Sequence, residues 1–217
     1  MALEQQMIHK GITSERLATP RAGVVFHDTA KKQVQPYGSA WEVELSRGKA
    51  DTSTTTYTGD QGATKLLGTG YTFPANSLVS GRSIRVVAYG FFDTDPTVAP
   101  SMTFSVVAVD SASAVTVLCT TGSFLLLNNL TAMPWQLEAS VTATAAAGAA
   151  AAMECQGHLV YHTSAIASVH RAMSNTATVA LKTTDTETIK MRAAISTGNI
   201  NDDIVLRSLQ VHWMGGT

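Results

Sequence analysis

The stretch Thr142–Gly157, "TATAAAGAAAAMECQG", decides the fold class. Alanine is the strongest helix former, yet its advantage over ordinary residues is at most about 0.7 kcal/mol per position. The flanking sequence has a different period. From Trp135, apolar and polar residues alternate strictly: Trp135, Leu137, Ala139, Val141 and Ala143 against Gln136, Glu138, Ser140, Thr142 and Thr144. The alternation resumes beyond the tract, with Met153, Cys155, Leu159 and Tyr161 against Glu154, Gln156 and His158. Period two is the signature of a strand. The tract therefore reads as a hairpin: a strand to about Ala145, a turn in which Gly148 supplies a positive φ, and a return strand to about His162. A short helix over the alanines is the competing reading. Burying a continuous strand face, at roughly 25 cal/mol per Å², outweighs alanine's preference.

The same period runs outward in both directions. "RSIRVVAYGFF" places Ile84, Val86 and Ala88 on one face, and "SMTFSVVAV" does the same for Met102, Phe104, Val106 and Ala108. "AVTVLC" and "TATVALK" are short β-rich runs, and "TIKMRAAIS" aligns Ile189, Met191, Ala193 and Ile195. "DIVLRSLQVHW" gives Val205, Leu209, Val211 and Trp213 a common parity. Turn-rich segments, "FDTDPTVAP", "KTTDTE" and "STGNINDD", separate these runs. About eight short strands without a long helix predict an all-β fold, an antiparallel β-sandwich of jelly-roll-like type. Trp135, Leu137, Val141, Ile189, Met191, Val211 and Trp213 are its core candidates.

Residues 1–70 have another texture. Short apolar pieces (Val24, Val25, Phe26; Trp41, Val43, Leu45) alternate with polar connectors, among them "KADTSTTTYTGDQGATK". This Thr-, Gly- and Asp-rich connector reads as loop or extended arm. Leu3, Met7 and Ile8 recur at helical spacing, enough for a short helix that could not stand alone. The expected division is an N-terminal arm with short strands and loops over residues 1–70 and a sandwich domain over residues 71–217.

Composition narrows the function. Of 217 residues, 45% are hydrophobic and only 14% charged, against roughly 25% charged in an average soluble domain. Such a surface suits a protein covered by partners. A net charge of −1 removes the strongest electrostatic case for nucleic acid or an anionic membrane as partner, leaving only local basic patches. The start "MALEQQMIHKGITSER" lacks the pattern of a signal peptide, and no apolar run approaches the roughly 18 residues of a membrane span. A cytoplasmic site of synthesis and assembly follows as the expectation.

Chemistry-bearing residues are sparse. His158 and His162 share a strand parity about 13 Å apart, too far for one metal, and His170 falls in an expected loop. No zinc-ligand spacing occurs, so no metal or cofactor is expected. Asp93 and Asp95 in "FDTDP", and Asp202 and Asp203 in "NINDD", could be acid–base pairs or calcium ligands. Their place in turns favours Asx chemistry instead. "GDQG" and "GTG" lack the helix and lysine of a phosphate cradle. Cys119 and Cys155 would bridge only if the sheet set them side by side, and buried free thiols are the commoner state. Asn129-Leu130-Thr131 is a glycosylation sequon, meaningful only in a secretory compartment. No catalytic residue can be named, and the expectation is a protein that is not an enzyme.

The C-terminal two-thirds, about Tyr71 to Trp213, resembles the β-sandwich domain of tailed-bacteriophage virion proteins, found in tail fibres, head fibres and capsid decoration (cement) proteins. The resemblance rests on Phe73-Pro74-Ala75-Asn76-Ser77-Leu78, on Val79-Ser80-Gly81-Arg82-Ser83-Ile84-Arg85, and on the strand Trp135 to Val141 with Gly148 and Gly157 beyond it. It extends to the closing strand from Asp202 to Val211. The alanine-rich turn departs from that family's polar turns, and residues 1–70 carry no resemblance. The likeness implies a non-enzymatic virion building block. Its leading form is a decoration protein, a homotrimer bound to the major capsid protein or another virion protein, with the arm gripping the shell. A tail or fibre component, and a lectin-like carbohydrate-binding module, which exposed aromatics in the loops near Phe92 or Tyr161 would favour, are the alternatives.

Overall fold

The computed structural model describes residues 8–11, 25–28, 33–36, 49–52, 54–59, 64–175, 177–196 and 199–214. The chain divides into two compact units, Met1–Arg47 and Gly48–Thr217. In the first, β1 (Ile8–Gly11) runs parallel to β2 (Val25–Asp28), which pairs antiparallel with β3 (Gln33–Pro36). The helix expected near Leu3 lies outside the described residues, apart from Ile8, which opens β1. Residues 41–45 also lie outside them.

The second unit is all-β and antiparallel, as the period-two pattern requires, and no α-helix occurs among the described residues. Its strands are β4 (Lys49–Asp51), β5 (Thr55–Thr58), β6 (Lys65–Phe73), β7 (Ser83–Asp93), β8 (Ser101–Asp110), β9 (Val115–Thr120) and β10 (Phe124–Leu125). They continue as β11 (Met133–Ala143), β12 (Ala151–His162), β13 (Ser168–Ser174), β14 (Val179–Leu181), β15 (Glu187–Ile195) and β16 (Asp203–Trp213). The strands lie in the order β4-β16-β7-β11-β12-β13-β9-β8-β15-β6, with β5 on β16, β14 on β12 and β10 on β8. The sheet folds over on itself as a sandwich. Phe104 of β8 meets Trp135 of β11 at 5.0 Å between ring centroids, and Phe73 of β6 meets Trp213 of β16 at 5.1 Å.

The hairpin that decides the fold is present. Trp135 pairs with Tyr161, and the register holds as far as Ala143 with Met153. Gly148 does not adopt a positive φ. Residues 144–150 form a loop long enough to reverse without a left-handed residue. A neighbouring turn pins it: Gly148 N–H donates to Thr183 Oγ1 at 3.1 Å, and Thr183 N–H donates back to Gly148 O at 3.0 Å.

The expected core is largely the observed one. Trp135, Leu137, Val141, Ile189, Met191 and Val211 are buried, and Trp213 is half-buried against them. The parity expected for β16 breaks at a bulge between Leu206 and Ser208. Ile204 and Leu206 therefore join the core before it, Leu209 and Val211 after it, and Val205 falls outside the core cluster. Gly90, on β7 opposite Trp135, leaves room for the close approach of β16 and the indole; a Cβ there would overlap Val205 O and come within 2.9 Å of Trp135 Cζ2.

The boundary expected at residue 70 falls inside β6. The Thr-rich connector is not an arm: it contains β4, β5 and the first residue of β6, and it closes the seam of the sandwich. Asp51 Oδ2 accepts from Thr69 N–H at 2.6 Å, Thr69 Oγ1 at 2.8 Å and Gly70 N–H at 3.4 Å. Beside it, Gly68 N–H donates to Thr55 Oγ1 at 3.2 Å and Lys65 Nζ to Thr56 O at 3.1 Å. "GTG" is thus a bulge in β6 that cradles a protein carboxylate. "GDQG" lies outside the described residues apart from Gly59.

Trp135→Ala should lower unfolding free energy by about 3–5 kcal/mol, measured by urea denaturation. Gly70 has φ +80°, and a Cβ there would sit 2.5 Å from Ile189 O. Gly70→Ala should therefore cost at least the roughly 1–2 kcal/mol of a left-handed non-glycine residue in the same assay.

Candidate functional site

Two acidic turns far apart in sequence meet at one end of the sandwich. Asp95 Oδ1 accepts from Thr97 N–H at 2.7 Å, Thr97 Oγ1 at 2.5 Å and Val98 N–H at 3.0 Å. Its Oδ2 accepts from Asn201 Nδ2 at 3.0 Å, and its N–H donates to Asp202 Oδ1 at 2.9 Å. The Thr97 hydroxyl first, then Asn201, hold the Asp95 carboxyl well below the usual carboxylate range. An acid held by these donors stays ionised and has no proton to give at neutral pH, and its four accepted hydrogen bonds tie the two loops together. Asp93 is engaged similarly, accepting from Ala132 N–H at 2.8 Å.

The lock extends to a third loop. Asn129 N–H donates to Asp95 O at 2.8 Å and Leu126 N–H to Pro100 O at 2.9 Å. Thr94 Oγ1 donates to Leu127 O at 2.9 Å, and Asn128 Nδ2 donates to Pro96 O at 2.8 Å. Large apolar side chains are exposed here: Val98 (49%), Leu127 (57%) and Ile200 (65%) on these loops, and Leu125 (65%) at the end of β10. These apolar side chains stand exposed on segments whose conformation hydrogen bonds define. Sequence patterning missed it because loop residues have no parity to violate.

A second feature lies on the outward face of β7, β11, β12 and β13. Arg85, Ser140, Gln156 and Ser174 form one row across these strands, and Val87, Glu138, His158 and Ala172 form the next. Arg85 and Glu138 make a two-pronged ion pair at 2.8 and 2.9 Å. Two hollows open on this face. One, of about 340 Å³, is lined by Ser140, Thr142, Glu154, Gln156, Asn175 and Thr178 among others. The other, of about 380 Å³, includes Tyr89, Gln136 and His162.

His158 and His162 project from this face as expected, and neither faces the core. His170 does not lie in a loop. It sits on β13 opposite Val160, on the same outward face. Among the described residues no three His, Cys, Asp or Glu side chains converge as a metal site. Cys119 and Cys155 are free and buried, and the sheet does bring them together. A hydrogen bond to Cys119 and burial push the Cys155 thiol far up, which leaves little nucleophilic thiolate.

No family model matches the chain, and no curated protein matches it significantly. A chain from a structure of infectious bursal disease virus, Gt strain, aligns over 83% of this chain at 13% identity and a TM-score of 0.30. This chain spans only 35% of that one. A protein of unknown function from Shewanella oneidensis MR-1 aligns over 79% of this chain and 82% of its own, at 10% identity and a TM-score of 0.31. A mutant alginate lyase in complex with alginate trisaccharide aligns over 75% and 99%, at 8% identity and a TM-score of 0.28. At these scores none of the likenesses carries an argument.

One buried acid gives the unit a pH response. Glu187 is 3% exposed and its Oε2 has no hydrogen-bond partner. Burial first, then the charges of Asp110 and Asp185, raise it to about 7 against the ordinary 4.5, with Lys182 opposing. Lys182 is itself paired to Asp185 at 2.7 Å. The folded chain holds this proton more tightly than the unfolded chain, so its stabilisation is complete below about pH 4.5 and is lost as pH rises through about 7. Glu187→Gln should flatten that window and gain of order 2 kcal/mol over the parent at pH 8, measured by urea denaturation across pH 4–8.

Proposed function

We propose that the chain is a non-enzymatic structural protein of a phage virion, a capsid decoration (cement) protein that binds and stabilises the head shell as a homotrimer. The observation that carries the reading is the apolar end of the sandwich. Val98, Leu127 and Ile200 stand exposed on loops that Asp95, Thr94 and Asn128 tie together, and Leu125 stands exposed at the end of β10. A monomer with only 14% charged residues gains little solubility from such an end. A subunit gains an adhesive contact, since pre-ordered apolar loops lose little entropy on docking. The separate N-terminal unit, Met1–Arg47, supplies a second element for gripping a shell. The likeness of Tyr71–Trp213 to virion sandwich domains points the same way.

The test uses the full chain and DNA-emptied capsids of the virus that encodes it. Light scattering should give a trimer mass, and the protein should co-sediment with capsids and raise their resistance to heat. Leu125→Asp with Leu127→Asp should abolish co-sedimentation while leaving the melting temperature of the free protein unchanged. Absence from purified particles, or undiminished binding of the double variant, would sink the reading. Immunogold labelling confined to the tail would move the protein to a tail or fibre role.

A further inference from the structure

We propose that the hollow at Tyr89 is a binding site for one neutral pyranose ring of a glycan, a function separate from shell binding and not resting on it. The hollow measures about 380 Å³ and opens on the outward face of β7, β11 and β12. Tyr89, Gln136 and Val160 form one row across these three strands, and Pro134 and His162 line the hollow beyond it, toward the strand ends.

Two irregularities of the sheet bound the hollow. The pairing of β11 with β12 begins at Trp135 opposite Tyr161. Pro134, one residue earlier, has no N–H with which to extend that ladder, while His162 stays paired to Ser168 of β13. On the other side, β16 carries its bulge between Leu206 and Ser208, opposite Gly90 and Tyr89. A bulge increases the local twist of a sheet, so the face turns at Tyr89.

The lining selects the ligand class. No other aromatic among the described side chains is as exposed as Tyr89, at 46%. Among the described residues, no hydrogen bond engages the Tyr89 hydroxyl, the Gln136 amide or the His162 ring, and no Asp, Glu, Lys or Arg lines the hollow. A pyranose ring has the matching anatomy, an apolar face of C–H groups and a rim of hydroxyls that both donate and accept. The face suits an aromatic ring, whose negative π cloud attracts polarised C–H groups. The rim suits an amide and a neutral imidazole, each of which carries a donor and an acceptor on separate atoms. An aliphatic ligand would leave Gln136 and His162 without partners. An ionic ligand would find no counter-charge in the wall. The volume is at the lower end of the roughly 300–1,000 Å³ of small-molecule sites, so it admits one sugar ring and not an extended chain.

Saturation-transfer NMR on the full chain is the test, with the methyl glycosides of glucose, galactose, mannose and N-acetylglucosamine, and sorbitol as the open-chain polyol without a ring face. At least one glycoside should receive transfer, concentrated on the ring protons of one face, and sorbitol should receive several-fold less. Tyr89 lies outside the core, so Tyr89→Ala should abolish the transfer with the fold intact, and Tyr89→Phe, which keeps the ring, should retain most of it. If Tyr89→Ala is destabilised, Gln136→Ala decides, with an expected several-fold loss. No transfer to any glycoside at millimolar concentration, transfer that survives these alanine variants, or equal transfer to sorbitol would each overturn the proposal, leaving a hydrated sheet face.

Discussion

A sheet that curls into a sandwich must do something with its two edges, and here that problem falls on the carboxylate of Asp51. The strand path begins at β4 and ends at β6. Between these edges the ladder is replaced by side chains: Asp51 on Thr69 and Gly70, Thr55 on Gly68, Lys65 on Thr56. Buried backbone donors left open at such a seam would each cost a hydrogen bond's desolvation. One charged acceptor satisfies several of them, and charge-assisted bonds are the stronger kind. The bulge at Gly68 and Gly70, both at positive φ, turns the N–H groups of β6 toward that carboxylate. β4 and β5 at the seam pair with β16, which carries Leu206, Leu209 and Val211 into the core.

The seam also explains which parts of the fold could be read in the sequence. Strands buried on one face advertise themselves by alternation, and Trp135–Ala143 and Ile189–Ile195 do so without interruption. The alanine tract could be assigned because its flanks carried the period that alanine itself hides. The threonine-rich stretch before Lys65 could not. β4 and β5 are three and four residues long, shorter than a pattern needs, and their work is done by Asp51 and Thr55, which look like loop residues in any composition. β16 shows the complementary failure. One bulge at Arg207 shifts every later residue by one, so a single parity cannot describe both halves.

The site residues follow the same division. That Asp95 and Asp202 serve turns was legible from the turns themselves. That the two turns are one structure, joined through Asp95 N–H and Asn201, was not, because the contact spans more than a hundred residues of chain. The hollow at Tyr89 was invisible for a different reason. It opens where the ladder between β11 and β12 stops, and element ends are the least legible feature of a strand pattern.

Carboxylates that cap backbone also account for the surface. Asp51, Asp93, Asp95, Asp110 and Asp202 each accept from at least one main-chain N–H. Three of them, Asp51, Asp95 and Asp202, are buried, so their charge acts on backbone inside the unit. The same allocation makes the loops rigid. Rigidity determines what the apolar end can do: Val98, Leu127 and Ile200 ride on loops whose conformation is already fixed by hydrogen bonds, so docking them does not require the ordering that weakens flexible contacts. The pre-ordered loops at the apolar end are thus a consequence of aspartates that cap backbone.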